Sequence, residues 1–247
     1  MEKSKIDEIL VSLGFGFPES KNDNIAFEET FEKYQFEADA NKIDSEKILK
    51  SLKPKKKGTN IDYHRRTVLA AEIVYKLHKE NTLGHLKLQK LIYLCQHSAQ
   101  MDLYTNFLKQ AMGPYDNRLM RSLDRQFKVN QWFQFSGGEY LKYQPLSKIG
   151  GHREWYEKYF SNQLSEIDFI IEKFRITKTK RVELIATVFA CWKEIIEEKQ
   201  LFNNEILIKK FYNWHPDKSK FSKQEIIEII EWMKNEGFYP NIDRASS

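Results

Sequence analysis

Cysteine, proline and glycine are scarce in this chain: two, six and ten among 247 residues. Cys95 and Cys191 each lie among Leu, Ile and Ala in a helical pattern, where a free thiol behaves as a small buried hydrophobe. Two cysteines so far apart cannot build a zinc site alone, and no nearby histidine pair completes one. The glycines are too few and scattered for a phosphate loop or a dinucleotide fingerprint. A nucleophile elbow, an HExxH helix and an EF-hand loop are also missing. The six histidines, at 64, 78, 85, 97, 152 and 215, show no metal-ligand spacing, although His85 and His97 bracket one helix. Carboxylates are plentiful, but none stand out as a converging set for a metal pair. Neither enzyme activity, nor a cofactor, nor a metal is expected. No apolar run approaches the roughly 18 to 20 residues that cross a bilayer, and the start, MEKSKIDEIL, lacks the apolar core of a signal peptide. The expectation is a cytoplasmic protein with no membrane partner.

What is present is core material. Hydrophobic residues make up 41% and aromatics 14%, with 17 Phe, 12 Tyr and 5 Trp, which is a globular composition. The length allows one large domain or one domain with an appendage, and the second is expected. A charge of +5 and a pI near 8.9 suit a polyanion, but 40 basic against 35 acidic residues is close to balance. Local distribution of charge therefore carries more information than its sum.

Residues 1–52 hold more acid than base, with Phe27, Phe31, Tyr34 and Phe36 spaced loosely like one helical face. The run Lys53-Pro54-Lys55-Lys56-Lys57-Gly58 reads as a basic linker, solvated or phosphate-contacting. The expected organisation is an arm and linker over 1–58, a helical domain over 59–240 and a disordered tail over 241–247. Within the domain, Leu69, Ile73 and Leu77 mark a helix from Tyr63 to His78, and Leu88, Leu91, Ile92, Cys95 and Ala99 mark another starting near Leu86. Lys87, Lys90 and Gln96 fall off that second apolar face. Gly113-Pro114 breaks the chain and sets an angle between helices. Asp116 or Asn117 then caps a helix running through Lys128.

Trp132 to Phe135, Ser136-Gly137-Gly138 and Glu139 to Tyr143 read as a hairpin around a glycine turn, the one convincing strand pair. Helices are expected over Trp155–Lys173, Lys180–Lys199, Asn204–Tyr212 and Ser222–Asn235. Ser222 with Glu225 forms a capping box, and Gly237 is the stop. The fold class is mainly α, one helical domain with a small wing-like β-hairpin and a short N-terminal appendage.

In the helix after Asp116, Leu119, Leu123 and Phe127 form a buried face. Arg118, Arg121, Arg125 and Lys128, at offsets of three, seven and ten, form another, and an aromatic hairpin follows at once. This layout is similar to the helix-and-wing arrangement that grips duplex phosphates. Two other readings stay open: a solvated stripe paired to Asp116, Asp124 or acids elsewhere, and a site for an acidic protein. Trp132, Phe133 and Phe135 divide in the same way, between stacking on bases and filling a core. Together with Lys87 and Lys90, these four cations are the candidate nucleic-acid or partner contacts.

The segment His85-Leu86-Lys87-Leu88-Gln89-Lys90-Leu91-Ile92-Tyr93-Leu94 resembles the KLQKLLYLA-type signature of Panacea, or SocA-like, antitoxin domains, which carry a Gly-Pro after this helix, here Gly113-Pro114. Leu83 to Lys90, Ala111 to Asp116, Ala190-Cys191-Trp192 and Glu231 to Lys234 are more similar still to a domain at the ends of type I restriction specificity subunits. The resemblance covers about residues 61 to 240. It implies a helical fold and a place in DNA restriction-modification, or in a toxin-antitoxin pair, and supplies no catalytic residues. A full specificity subunit carries two large target-recognition domains, for which 247 residues leave no room. The expected partners are thus DNA through its backbone, or a protein: restriction-modification subunits or a toxin. A homo-oligomer is also open.

Overall fold

The computed structural model describes residues 58–136 and 142–240. The chain divides into two units at Lys57 and Gly58, and the described residues all belong to the second. The expectations for the arm, the linker through Lys57, the Gly137-Gly138 turn and the tail lie outside the described residues.

The domain is mainly α. The helices are α1 (Asn60–Leu77), α2 (His85–Ser98), α3 (Asn117–Val129), α4 (Arg153–Phe160), α5 (Leu164–Phe174), α6 (Thr179–Glu197), α7 (Asn204–Tyr212) and α8 (Lys223–Asn235), with a 3-10 turn at Pro216–Lys220. Two antiparallel hairpins interrupt them. Strands β1 (Leu108–Gln110) and β2 (Gly113–Tyr115) pair Lys109 with Pro114, and β3 (Phe133–Ser136) and β4 (Lys142–Pro145) pair Phe135 with Tyr143.

Helix ends follow local chemistry. Thr59 and Asp62 make a capping box that starts α1 at Asn60, three residues before the expected start at Tyr63, with the Thr59 amide donating to Asp62 Oδ2 at 2.8 Å. Ser222 and Glu225 do the same for α8. At the far end of α8, Gly237 takes φ +62°, so the Gly237 amide reaches Lys234 O and the Phe238 amide reaches Met233 O. That is a Schellman closure, and it seats the Phe238 ring in the core.

At the centre lie α2 and α6, packed on each other. Helices α1 and α5 and strand β2 cover further sides of α2, while α7, α8 and β2 cover α6. Helices this enclosed are buried well beyond a single stripe, and Leu88, Leu91, Ile92, Leu94, Cys95, Ala186, Val188, Phe189 and Cys191 have no exposed surface. Both cysteines are free and buried, and burial pushes the Cys191 thiol up to about 12.

Three expectations are corrected. A second hairpin exists, and Gly113-Pro114 lies in its β2 strand, not at a helix break. Leu108-Lys109-Gln110 has no β-branched alternation to announce a strand; tertiary contacts with α2 and α6 hold β2. The expected helix over Trp155–Lys173 is two helices, α4 and α5, separated at Ser161-Asn162-Gln163. No proline or glycine marks that break. The two halves share apolar spacing, but α4 packs on α1 whereas α5 packs on both α1 and α2. Lys87 and Lys90 of α2, expected as surface contacts, are instead buried.

Candidate binding surface

Lys87 and Lys90 are not surface contacts: both side chains are fully buried. Because α2 is enclosed, positions off its main apolar stripe still face protein. Both ammonium groups of the Lys87-Leu88-Gln89-Lys90 segment, and the side-chain oxygen of Gln89, accordingly have internal partners. Lys87 Nζ donates to Thr82 Oγ1 at 2.6 Å and to the carbonyls of Arg175 at 2.8 Å and Thr177 at 2.9 Å. Arg175 is the C-cap of α5 and Thr177 lies in the connection just after it, so the ammonium acts as a cap carried by another helix. Burial pushes Lys87 down to about 8, against the pull of Glu80.

The Gln89 side-chain oxygen accepts the Asp116 amide. Lys90 Nζ donates to Pro114 O at 2.5 Å. Burial, with the Lys218 ammonium nearby, holds Lys90 well below the ordinary lysine range. Lys90 and Gln89 thus tie β2 and the start of α3 to the centre of the domain. Gly113 fits because it has no Cβ: its φ is +90°, and a Cβ would stand 2.6 Å from Thr187 Oγ1.

Behind β2 is a charge cluster that the sequence reading missed. Glu183 on α6 meets Lys218 Nζ at 2.7 Å and Lys220 Nζ at 2.9 Å, and the Glu183–Lys218 pair is almost entirely removed from solvent. A second buried pair joins His152 Nε2 to Glu72 Oε2 at 2.9 Å, between α1 and the start of α4. The available signal was a lone carboxylate between apolar neighbours, Ala71-Glu72-Ile73 and Val182-Glu183-Leu184, since charge at a buried position needs a partner. Neither pair lines the shallow depression of about 370 Å3 formed by Tyr75, Lys76, His78, Lys79 and Ile149. Among the described residues, no three His, Cys, Asp or Glu side chains form a group able to hold a metal ion.

The outer surface of α3 is different. Leu119, Met120, Leu123 and Phe127 are buried and fix the rotation of the helix on α1 and β3. That rotation leaves Arg118, Arg121, Arg125 and Lys128 all exposed. Asp116 and Asp124, the carboxylates nearest to these cations in sequence, are engaged with other donors. Asp116 Oδ1 accepts the Leu119 amide at 3.0 Å as the N-cap of α3, and its Oδ2 accepts the Asn106 amide at 2.6 Å. Asp124 accepts from His85 Nε2 at 2.9 Å and from the Tyr143 hydroxyl at 3.3 Å. Among the described residues, Arg121, Arg125 and Lys128 take part in no ion pair.

The hairpin aromatics divide by position. Trp132 and Phe133 are buried, whereas Phe135 is half-buried and stacks on the His85 ring with centroids 3.6 Å apart. The structure therefore brings Arg118, Arg121, Arg125 and Lys128 together on one outward face and separates Lys87 and Lys90 from it. Among the described residues no helix is long and apolar enough to cross a membrane. No protein-family model matches this chain, and no curated protein matches its sequence.

Proposed function

We propose that the domain is a non-catalytic, phosphate-gripping module that contacts duplex DNA through α3, as an accessory or specificity-type component of a type I restriction-modification system. The observation that carries this reading is the four-cation face of α3, whose neighbouring carboxylates Asp116 and Asp124 are turned to other donors. Three of those cations are arginines, and a guanidinium meets phosphate oxygens bidentately. The face spans just under three helical turns, Arg118 to Lys128, about 15 Å by helical rise. That reach covers several phosphates along one strand, which position a protein without reading bases. The restriction-modification context is supported by the sequence resemblance across residues 61–240.

The same face would also suit an acidic protein, and the Panacea-like resemblance makes an antitoxin that neutralises a toxin by direct contact the second reading. Two measurements separate them. Fluorescence anisotropy of a short labelled duplex with the full chain should show binding that weakens with salt. In R118A/R121A/R125A the slope of log affinity against log salt should be shallower by about 2 to 3, one lost counterion release per phosphate contact. Equal binding by parent and variant, or none by the parent at low salt, defeats the DNA reading. Co-expression with neighbouring gene products tests the context: methyltransferase or motor subunits favour restriction, and a small toxic protein favours the antitoxin.

A further inference from the structure

Asp124 sits in the middle of the cationic face by sequence. It lies three residues after Arg121, one before Arg125 and four before Lys128. Side chains three and four apart on a helix are neighbours, and an acid four residues before a lysine is the favourable order for pairing. Left to α3 alone, the Asp124 carboxylate would fold onto Arg121 or Lys128 and cancel part of the stripe. In the domain it reaches off the helix instead.

His85 Nε2 stands 2.9 Å from Asp124 Oδ2 and 3.2 Å from Oδ1, and the Tyr143 hydroxyl donates to Oδ1 at 3.3 Å. The imidazole is itself held in place. One face stacks on Phe135 at 3.6 Å with 23° between the rings, and Tyr143 leans on it with centroids 5.7 Å apart. His85 is also the first residue of α2, whose N-cap, Gly84, supplies no side-chain bond and whose first turn has no acid. A carboxylate arriving at this positive helix end from α3 gains from the dipole as well as from the imidazole.

We infer that His85, with Tyr143, is a positioning residue for the α3 surface: by holding the Asp124 carboxylate at the start of α2, it keeps Arg121 and Lys128 free for an anionic partner. This inference rests on α3 being the contact surface, the reading given above. The polar segment that opens α2 and the β3–β4 hairpin then share a task that neither performs by touching the partner. The contact residues stay on α3, while the hairpin aromatics set how much positive charge the helix displays.

The full-length chain tests this with two readouts, anisotropy of a labelled duplex and nitrogen-15 spectra of the arginine side chains without ligand. In H85A the Asp124 carboxylate loses its imidazole partner and turns back to the helix, so the Arg121 Nε signal should shift and duplex affinity should fall about twofold to fivefold, the scale of an exposed helical ion pair. In H85A/D124N both readouts should return to the parent values, a rescue that general damage to the fold would not give. Arginine signals unmoved in H85A overturn the inference, and so does a double variant as weak as H85A. If the signals shift and recover but no form of the chain holds the duplex, the positioning role stands and the DNA reading falls. Should H85A fail to fold, D124N decides: it should leave the Arg121 signal in place, and its movement would mean that Asp124 already pairs with the stripe.

Discussion

Two helices of this domain carry cations at similar spacing and use them in opposite ways. On α2, Lys87 and Lys90 are three apart, fully buried, and bound to carbonyls of other segments. On α3, Arg118, Arg121, Arg125 and Lys128 recur at three and four and are all exposed. The difference is the number of faces that are covered. Helix α2 is enclosed by α1, α5, α6 and β2, so a long side chain at almost any position must find an acceptor inside the protein. Helix α3 packs only one stripe, on α1 and β3, and its opposite face meets water. A basic residue thus serves as an internal strut in one place and stands in solvent in the other, and neighbours make the choice.

That contrast predicts where mutations act. The largest effect is expected inside, at the charge cluster behind β2. Glu183→Gln leaves the buried Lys218 ammonium without its counterion, and removal of one partner from such a pair costs about 3 to 5 kcal/mol. Urea unfolding should show this loss, and a loss below about 1 kcal/mol would mean that the cluster reaches solvent.

Next comes a pH effect confined to α2. His97 lies in the last turn of α2, its ring 4.4 Å from that of Tyr93, and burial, followed by the Lys193 charge, pushes it down to about 3. An unfolded histidine titrates near 6.5. The unfolded chain therefore takes up the proton first, and stability is full above pH 6.5 and falls as pH drops toward 3. Between pH 7 and pH 5 this one group should cost about 2 kcal/mol. His97→Phe should lose that much less than the parent across the same interval, and parallel curves for the two proteins would contradict the burial of the neutral ring.

The smallest effect is expected outside. R121A/R125A should change unfolding free energy by less than about 0.5 kcal/mol, as substitutions on an exposed face usually do, while weakening duplex binding. If it destabilised the domain by more than about 1 kcal/mol, the stripe would be structural and the contrast with α2 would collapse.

Several elements were legible from pattern alone. The bounds of α7 follow from its apolar spacing, the start of α8 from Ser222 and Glu225, and the start of α3 from Asp116, because caps and apolar periodicity act within one or two turns of chain. The outward placement of the α3 cations was equally visible, since Leu119, Leu123 and Phe127 assign the opposite face. Hairpin β1–β2 was not visible: its strands are three residues each, and they are held by Lys90 and by contact with α6. Nor was the break between α4 and α5, where the chain turns through Ser161-Asn162-Gln163 without a breaker residue.

By itself the sequence determined a mainly helical domain, the facing of its amphipathic helices, and four cations on one side of α3. Those outcomes depend on local spacing and end chemistry, which travel with the segment wherever it packs. Only the tertiary structure decided which cations meet solvent and which carboxylates remain to oppose them. The burial of Lys87 and Lys90 and the turning of Asp124 toward His85 both come from residues distant in the chain. A charged group goes where its desolvation is repaid by a partner, and that partner is found only once the helices have assembled.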